Sequence, residues 1–435
     1  PAMISFAIAP SNTGYVIYLI FHMVLACAGA YLFARIIGMG VAGAVMVAIA
    51  FSMGNLNERF ACCTIHMQVA VWMPAILLFI ELGLRTTTTR RRLIWYVLAG
   101  IGLGQMMAGW VGQGAYYAGL GVGAYALFRL VWHHQGRWLW RRQLVQLVVG
   151  GFVLGVIALA TVIPAVVPRL DTIGRSNLSN LYEGAVEPEG TGWLIQEFPF
   201  EAFSYMSGTA TSYLGVALMI VTVAGAVGFY RRPRAAYFIG MTAVVLTLVA
   251  RTSPVEWVFN LLPQFKSLHI HSPERIYVVL FLGPAVLAGW LVDGIVERRP
   301  ERRIGPFHAV LVVQAALAVA ATILVVTWDQ VGAWIRTDRI ELGIACLVLV
   351  LLGLLAKWPA VRWSCAIGLI LLVLWDPALD RVESRHASPG NTAKLGRFVS
   401  QSQNPGGAVT WLLEQQQSDP YFRYFGYDVD YTPYV

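Results

Sequence analysis

Apolar stretches long enough to cross a bilayer recur about every 20–30 residues from Tyr15 to Leu379, and basic residues fill every second gap between them. A helix needs roughly 20 mostly apolar residues to traverse the hydrocarbon core. That core cannot satisfy an open backbone, so segments of this kind must become helices that close their own hydrogen bonds. The spacing predicts an all-α transmembrane protein with about 12 membrane-spanning helices. They fall at about 13–36, 38–55, 66–84, 93–110, 112–131, 143–166, 211–229, 236–250, 275–296, 307–327, 339–356 and 362–379. Residues 1–379 form the polytopic domain, and the polar tail 380–435 reads as the start of a soluble domain outside the membrane. In that tail Asn391–Ser402 and Ala408–Gln417 suit helices and Tyr421–Tyr427 a strand, an α/β beginning.

Composition supports a lipid-facing surface. Only 12% of the residues are charged, against about 25% in soluble domains. The net charge of +8 does not point to nucleic acid, because the arginines form short clusters between apolar runs and line no single polar face. Cys27, Cys346 and Cys365 lie inside apolar runs, and the neighbours Cys62 and Cys63 have no metal-ligand spacing.

Sorting the basic residues sets an orientation. One set of connections carries Arg35, Arg85, Arg90, Arg91, Arg92, Arg129, Arg137, Arg141, Arg142, Arg231, Arg232, Arg234, Arg298, Arg299, Arg302, Arg303, Lys357 and Arg362, which is 18. The other carries Arg59, Arg169, Arg175, Arg251, Lys266, Arg275, Arg336 and Arg339, which is 8. The positive-inside rule places the first set in the cytoplasm. The long connections, 167–210, 251–274 and the tail, then lie outside, and chemistry is expected there.

Several outer residues have the chemistry of a lipid-linked sugar site. Glu58 and Asp171 are the candidate acids. His66, Gln113, Tyr116 and Tyr117 can hydrogen-bond a sugar or head group. Arg175, Lys266 and Arg275, with His271 nearby, can neutralise a phosphate at the interface. Carboxylates interleaved with aromatics over Glu183–Tyr205 suit a carbohydrate surface, and equally an amphipathic interfacial segment. His269 and His271 resemble half a metal site without a third ligand in the sequence. No phosphate-binding glycine loop, nucleophile elbow or HExxH occurs, and no sustained set of charges is expected in mid-span.

An ordered series of short motifs runs through nearly the whole chain: Tyr31–Arg35, His66 with Trp72-x-Pro74, Ala108-Gly109…Gln113…Tyr116, Pro164 followed by Arg175-Ser176, Tyr213-Leu214-Gly215, Leu262-Pro263…His271-x-Pro273-x-Arg275, and Gly289…Asp293-Gly294. In this the chain resembles the YfhO family of bacterial multi-spanning proteins, which have a GT-C glycosyltransferase-like architecture. It departs from that family at Trp110, where a Gly-His-Pro-Gln run is common, and at His271, which replaces the first Arg of Arg-x-Pro-x-Arg. By the family pattern the chain starts at Pro1 just after the first helix and first outer loop, where GT-C enzymes keep their key carboxylate. The tail is then the opening of a larger outer domain.

The resemblance implies transfer of a sugar from a polyprenyl-phosphate donor to a glycan, lipid or protein acceptor outside the bacterial cytoplasmic membrane, in the cell envelope. No cofactor is evident, and a divalent metal is left open. Glu58, His66, Gln113, Asp171, Arg175, His271 and Arg275 are expected to converge on a cleft open to water and lipid. Two alternatives stay open: a non-catalytic accessory subunit of a larger membrane complex, and a lipid or glycan transporter.

Overall fold

The computed structural model describes residue 8 and residues 11–54, 64–110, 112–131, 140–176, 215–249, 254–269, 276–297 and 337–387. Among the described residues there is no strand. The helices are α1 (Ser11–Ile36), α2 (Val41–Ser52), α3 (Thr64–Arg85), α4 (Thr89–Gly109), α5 (Gln113–Val131), α6 (Trp140–Ser176) and α7 (Val216–Phe229). They continue as α8 (Pro233–Val249), α9 (Pro254–Phe259), α10 (Phe265–His269), α11 (Tyr277–Leu280), α12 (Leu282–Glu297), α13 (Thr337–Leu355) and α14 (Pro359–Ala387). Two units are distinguished, Pro1–Pro377 and Ala378–Val435, and of the second the described residues are the end of α14. The expected strand Tyr421–Tyr427 and the span 307–327 lie outside the described residues.

Among the described residues, five helical stretches are long and apolar enough to cross a membrane: Thr13–Ile36, Met67–Arg85, Leu144–Pro164, Tyr277–Glu297 (α11 with α12) and Pro359–Asp376. Four more, Val41–Ser52, Val216–Phe229, Pro233–Val249 and Glu341–Leu355, are apolar but shorter. At 12 residues, α2 is only about 18 Å long, well under the ~30 Å core. The run predicted at 38–55 is therefore apolar throughout but helical over only part of its length. Its Gly38-Met39-Gly40 segment forms the turn from α1, with Gly38 at φ +101°, a conformation that glycine adopts without steric cost. Conversely, α6 runs through Pro164 and Pro168 to Ser176, where a loop from 167 was expected. Prolines four apart interrupt the same side of a helix, and packed membrane helices tolerate such gaps.

Exposure separates a lipid belt from a core. On α6 the side chains of Leu144, Val145, Val148, Val149, Phe152, Val156, Leu159 and Ile163 are all exposed. Spaced by three and four, they form one continuous apolar face. Water would penalise a patch of that size, whereas lipid requires it. The opposite case is α12, whose residues are almost all buried. It packs against α2, α7, α8 and α13 at the centre of the first unit.

Small residues allow this crowding. A Cβ on Gly43 would lie 2.6 Å from the Gly289 carbonyl oxygen, and one on Gly289 would lie 2.7 Å from that of Gly43. The backbones of α2 and α12 thus touch directly, the close approach that glycine permits between membrane helices. Gly100 and Gly104, a GxxxG pair on α4, meet α6 similarly at the carbonyls of Leu154 and Ala158.

Candidate functional site

Arginines cluster at the turns Arg35–Gly40, Arg85–Arg92, Arg231–Arg234 and Lys357–Arg362, where they bond the backbone of the same or neighbouring turns. The last carbonyls of a helix lack intrahelical donors. Here arginines supply donors at helix ends and in the turns beside them: Arg362 Nη1 donates to Val296 O at 3.2 Å in the last turn of α12, Arg92 Nη2 to Thr86 O at 2.8 Å just past α3, and Arg35 Nη1 to Met39 O at 3.1 Å in the turn between α1 and α2. Arg234 donates to Ile37 O. The Arg232 guanidinium lies 4.5 Å from the Phe229 ring centroid and 4.4 Å from that of Trp290, a cation–π sandwich that ties α7 to α12.

Just inside this rim sits an ionic cluster unforeseen in the sequence. Glu81 of α3 is fully buried, and so, to 1%, is Arg129 of α5. The two form an ion pair through Arg129 Nε and Glu81 Oε1. Glu81 Oε1 also accepts from Tyr125 OH at 2.7 Å, and Oε2 accepts from Arg85 Nε at 3.1 Å. One carboxylate therefore joins α3 to α5 with its acceptor positions filled, as a buried charge requires. Nearby, Asp293 Oδ1 accepts the Gly40 N–H at 2.7 Å and closes the start of α2. At the opposite end Asp376 Oδ2 accepts the Ala217 N–H at 3.0 Å at the start of α7. Each aspartate neutralises the positive pole of a short buried helix with a side chain from another helix.

The ends remote from the arginines hold the candidate site. His66 is in the first turn of α3, and Asp171 and Arg175 are in the last turns of α6. Glu58, His271 and Arg275 lie outside the described residues. Gln113 opens α5 and is 6% exposed. Its Nε2 donates to Tyr117 OH at 3.0 Å. Tyr117 OH is 2.7 Å from His269 Nδ1, and His269 Nε2 is 2.7 Å from the Leu248 carbonyl. A carbonyl only accepts, so a neutral His269 carries its proton on Nε2, and Nδ1 takes the tyrosine proton.

This relay binds α5, α8 and α10 together. Phe265 is fully buried and stacks on His269 at 4.7 Å. Tyr116 OH donates to Pro263 O at 2.7 Å, pinning the same turn. Lys266 is exposed just beyond it. The structure thus brings Gln113, Tyr116 and Tyr117 together with the Lys266 turn, joined through His269.

His269 uses both ring nitrogens in hydrogen bonds, which leaves no lone pair for the half metal site suggested by its spacing from His271. Among the described residues no group of three or more His, Cys, Asp or Glu could hold a metal. Tyr117 and His269 are 152 residues apart, so their pairing had no local signal.

A second polar chain crosses the span region. Tyr18 OH donates to Gln68 Oε1 at 3.3 Å, and Gln68 Nε2 donates to Gln105 O at 2.9 Å. His22, wholly buried one turn along α1, donates from Nδ1 to Tyr18 O at 2.8 Å, and its Nε2 is buried with no hydrogen-bond partner. No family model matches the chain, and neither a curated protein nor a solved structure matches it.

Proposed function

We propose that this chain is a membrane glycosyltransferase of GT-C-like, YfhO-like type, moving a sugar from a polyprenyl-phosphate donor to an acceptor on the outer side of a bacterial cytoplasmic membrane. The observation that carries the reading is the turn at Pro263–His269, fastened to α5 by Tyr116 and by the Gln113–Tyr117–His269 relay, with Lys266 exposed beside it. A rigid cationic turn at the membrane boundary suits a lipid phosphate, which arrives at that depth and needs a fixed counter-charge.

In this reading Lys266 and Arg275 neutralise the donor phosphate, with Arg175 at the end of α6 adding to the field. Tyr116, His66 and His271 contact the sugar, while Gln113, with Tyr117 and His269, holds the wall of the site. Glu58 and Asp171 are the candidate acids for the acceptor hydroxyl. The remaining expected spans, with α2 as a shorter apolar helix among them and the arginine turns in the cytoplasm, belong to the same proposal.

The test is donor binding and sugar release in vesicles containing the protein and a panel of polyprenyl-phosphate sugars. Lys266→Gln and Arg275→Lys should each weaken donor binding by roughly tenfold, the loss of one charged hydrogen bond, with unchanged melting temperature. Failure of the unaltered protein to bind any member of the panel refutes the proposal.

A further inference from the structure

The segment from α9 to α10 is inside out for a loop in water. Trp257, Val258 and Leu261 are 71, 64 and 84% exposed. Val255 and Phe259 instead pack against the core, and the Phe259 ring lies 5.4 Å from that of Phe265. Outward positions 257 and 261 and inward positions 255 and 259 are each four apart, so both faces of this short element are apolar.

The segment is also fixed. Tyr116 holds Pro263, Phe265 is buried against His269, and Gln264 between them has φ +62°. A left-handed backbone at a residue other than glycine persists only where its surroundings over-determine it. The outward face is therefore held in place, and no inward rearrangement is open to it without undoing these contacts.

The segment follows the end of α8 and meets the start of α5, the ends remote from the arginine turns, at the other boundary of the membrane. We infer that α9 and the turn after it form an interfacial foot that rests in the adjoining phospholipid leaflet. Trp257, Val258 and Leu261 enter the boundary between head groups and acyl chains. The exposed Lys266 lies at the level of the phosphates. Tryptophan favours this depth, an ammonium can extend from it toward phosphate, and anionic head groups complement the charge. The foot needs only a membrane-embedded chain, so it stands whether or not the glycosyltransferase reading holds.

The experiment places a photoreactive p-benzoylphenylalanine at Leu261, or separately at Val258, in protein reconstituted into vesicles of phosphatidylethanolamine and phosphatidylglycerol. Phe152 on the lipid-facing side of α6, 73% exposed, serves as the positive control. After irradiation, intact mass should show one added phospholipid at both test positions and at the control. Adducts at the control alone, or crosslinks from Leu261 to a second copy of the chain, overturn the inference. Lys266→Glu should reduce the phosphatidylglycerol share of the Leu261 adduct by about twofold or more. An unchanged share overturns the place given to Lys266.

Discussion

Replacing Glu81 by Gln should be among the most damaging conservative substitutions in this chain. The amide keeps the shape and can still accept from Tyr125, but it removes the counter-charge from Arg129. With Arg129 only 1% exposed, its guanidinium cannot recover hydration. Breaking a buried pair from one side costs about 3–5 kcal/mol. Arg85, the other partner, has a side chain 27% exposed; Arg85→Gln should cost under ~1 kcal/mol, as for a partly solvated pair. Glu81→Gln combined with Arg129→Met removes both charges and should recover much of the loss, because no unpaired guanidinium is left buried opposite the amide. Denaturant unfolding in mixed micelles, read by circular dichroism on the wild type, both single variants and the double variant, gives the coupling energy. If Arg129→Met is as costly with Gln at position 81 as with Glu, the two side chains are not coupled and the ionic-lock reading fails.

Four further outcomes follow from the same geometry. Gly289→Ala places a methyl against the Gly43 carbonyl and should cost about 1–3 kcal/mol in overpacking, whereas Gly119→Ala, which meets nothing within 4 Å, should leave the melting curve unchanged. Tyr117→Phe leaves His269 Nδ1 without its donor, a loss of about 1–3 kcal/mol that should appear as faster amide exchange in Phe265–His269; unchanged exchange would mean the relay does not hold the turn. His22→Leu removes a buried acceptor with no partner and should be neutral or stabilising by about 1 kcal/mol; a marked fall in melting temperature would contradict that description of His22. Cysteines at Ser204 and Ser388, but not at Thr87, should react with an impermeant reagent added outside intact cells, and the reverse pattern would invert the proposed topology.

The helical character and the alternation of basic turns could be read along the chain because both are local properties. Hydropathy reports whether a segment is apolar, but not how much of it is helical. That is why the 12-residue α2 was expected as a full span and the continuation of α6 beyond Pro168 was expected as a loop. The arginines were readable as positive charge at one set of ends. The bonds of Arg234 to the Ile37 carbonyl and of Arg362 to that of Val296 depend on which turns adjoin in space. Glu81 drew no notice in the sequence; its importance depends on Arg129, 48 positions away on another helix. In the candidate site Gln113, Tyr116 and Lys266 stood out as polar residues at span ends. Tyr117 and His269 stood out too, one as a sugar contact and the other as half a metal site, but their bond to each other joins residues 152 apart and could not be read along the chain.

The central position of α12 has a consequence for how the chain is made. Nine of the 12 residues of α2 are buried, and much of their cover comes from a helix synthesised far later. Gly40 and its acceptor Asp293 are 253 residues apart, an interval of about 10–50 s at a translation rate of ~5–20 residues per second. Throughout that time the Gly43 face of α2 has no α12 against it, and the N–H of Gly40 has no aspartate. The nascent protein must therefore keep a slot for a helix that has not yet left the ribosome, shielded by lipid or by the insertion machinery. Truncation before α12 should leave α2 unable to stay seated, with its glycines open to premature pairing. In this protein a helix made late completes the packing of the α1–α2 hairpin made long before it.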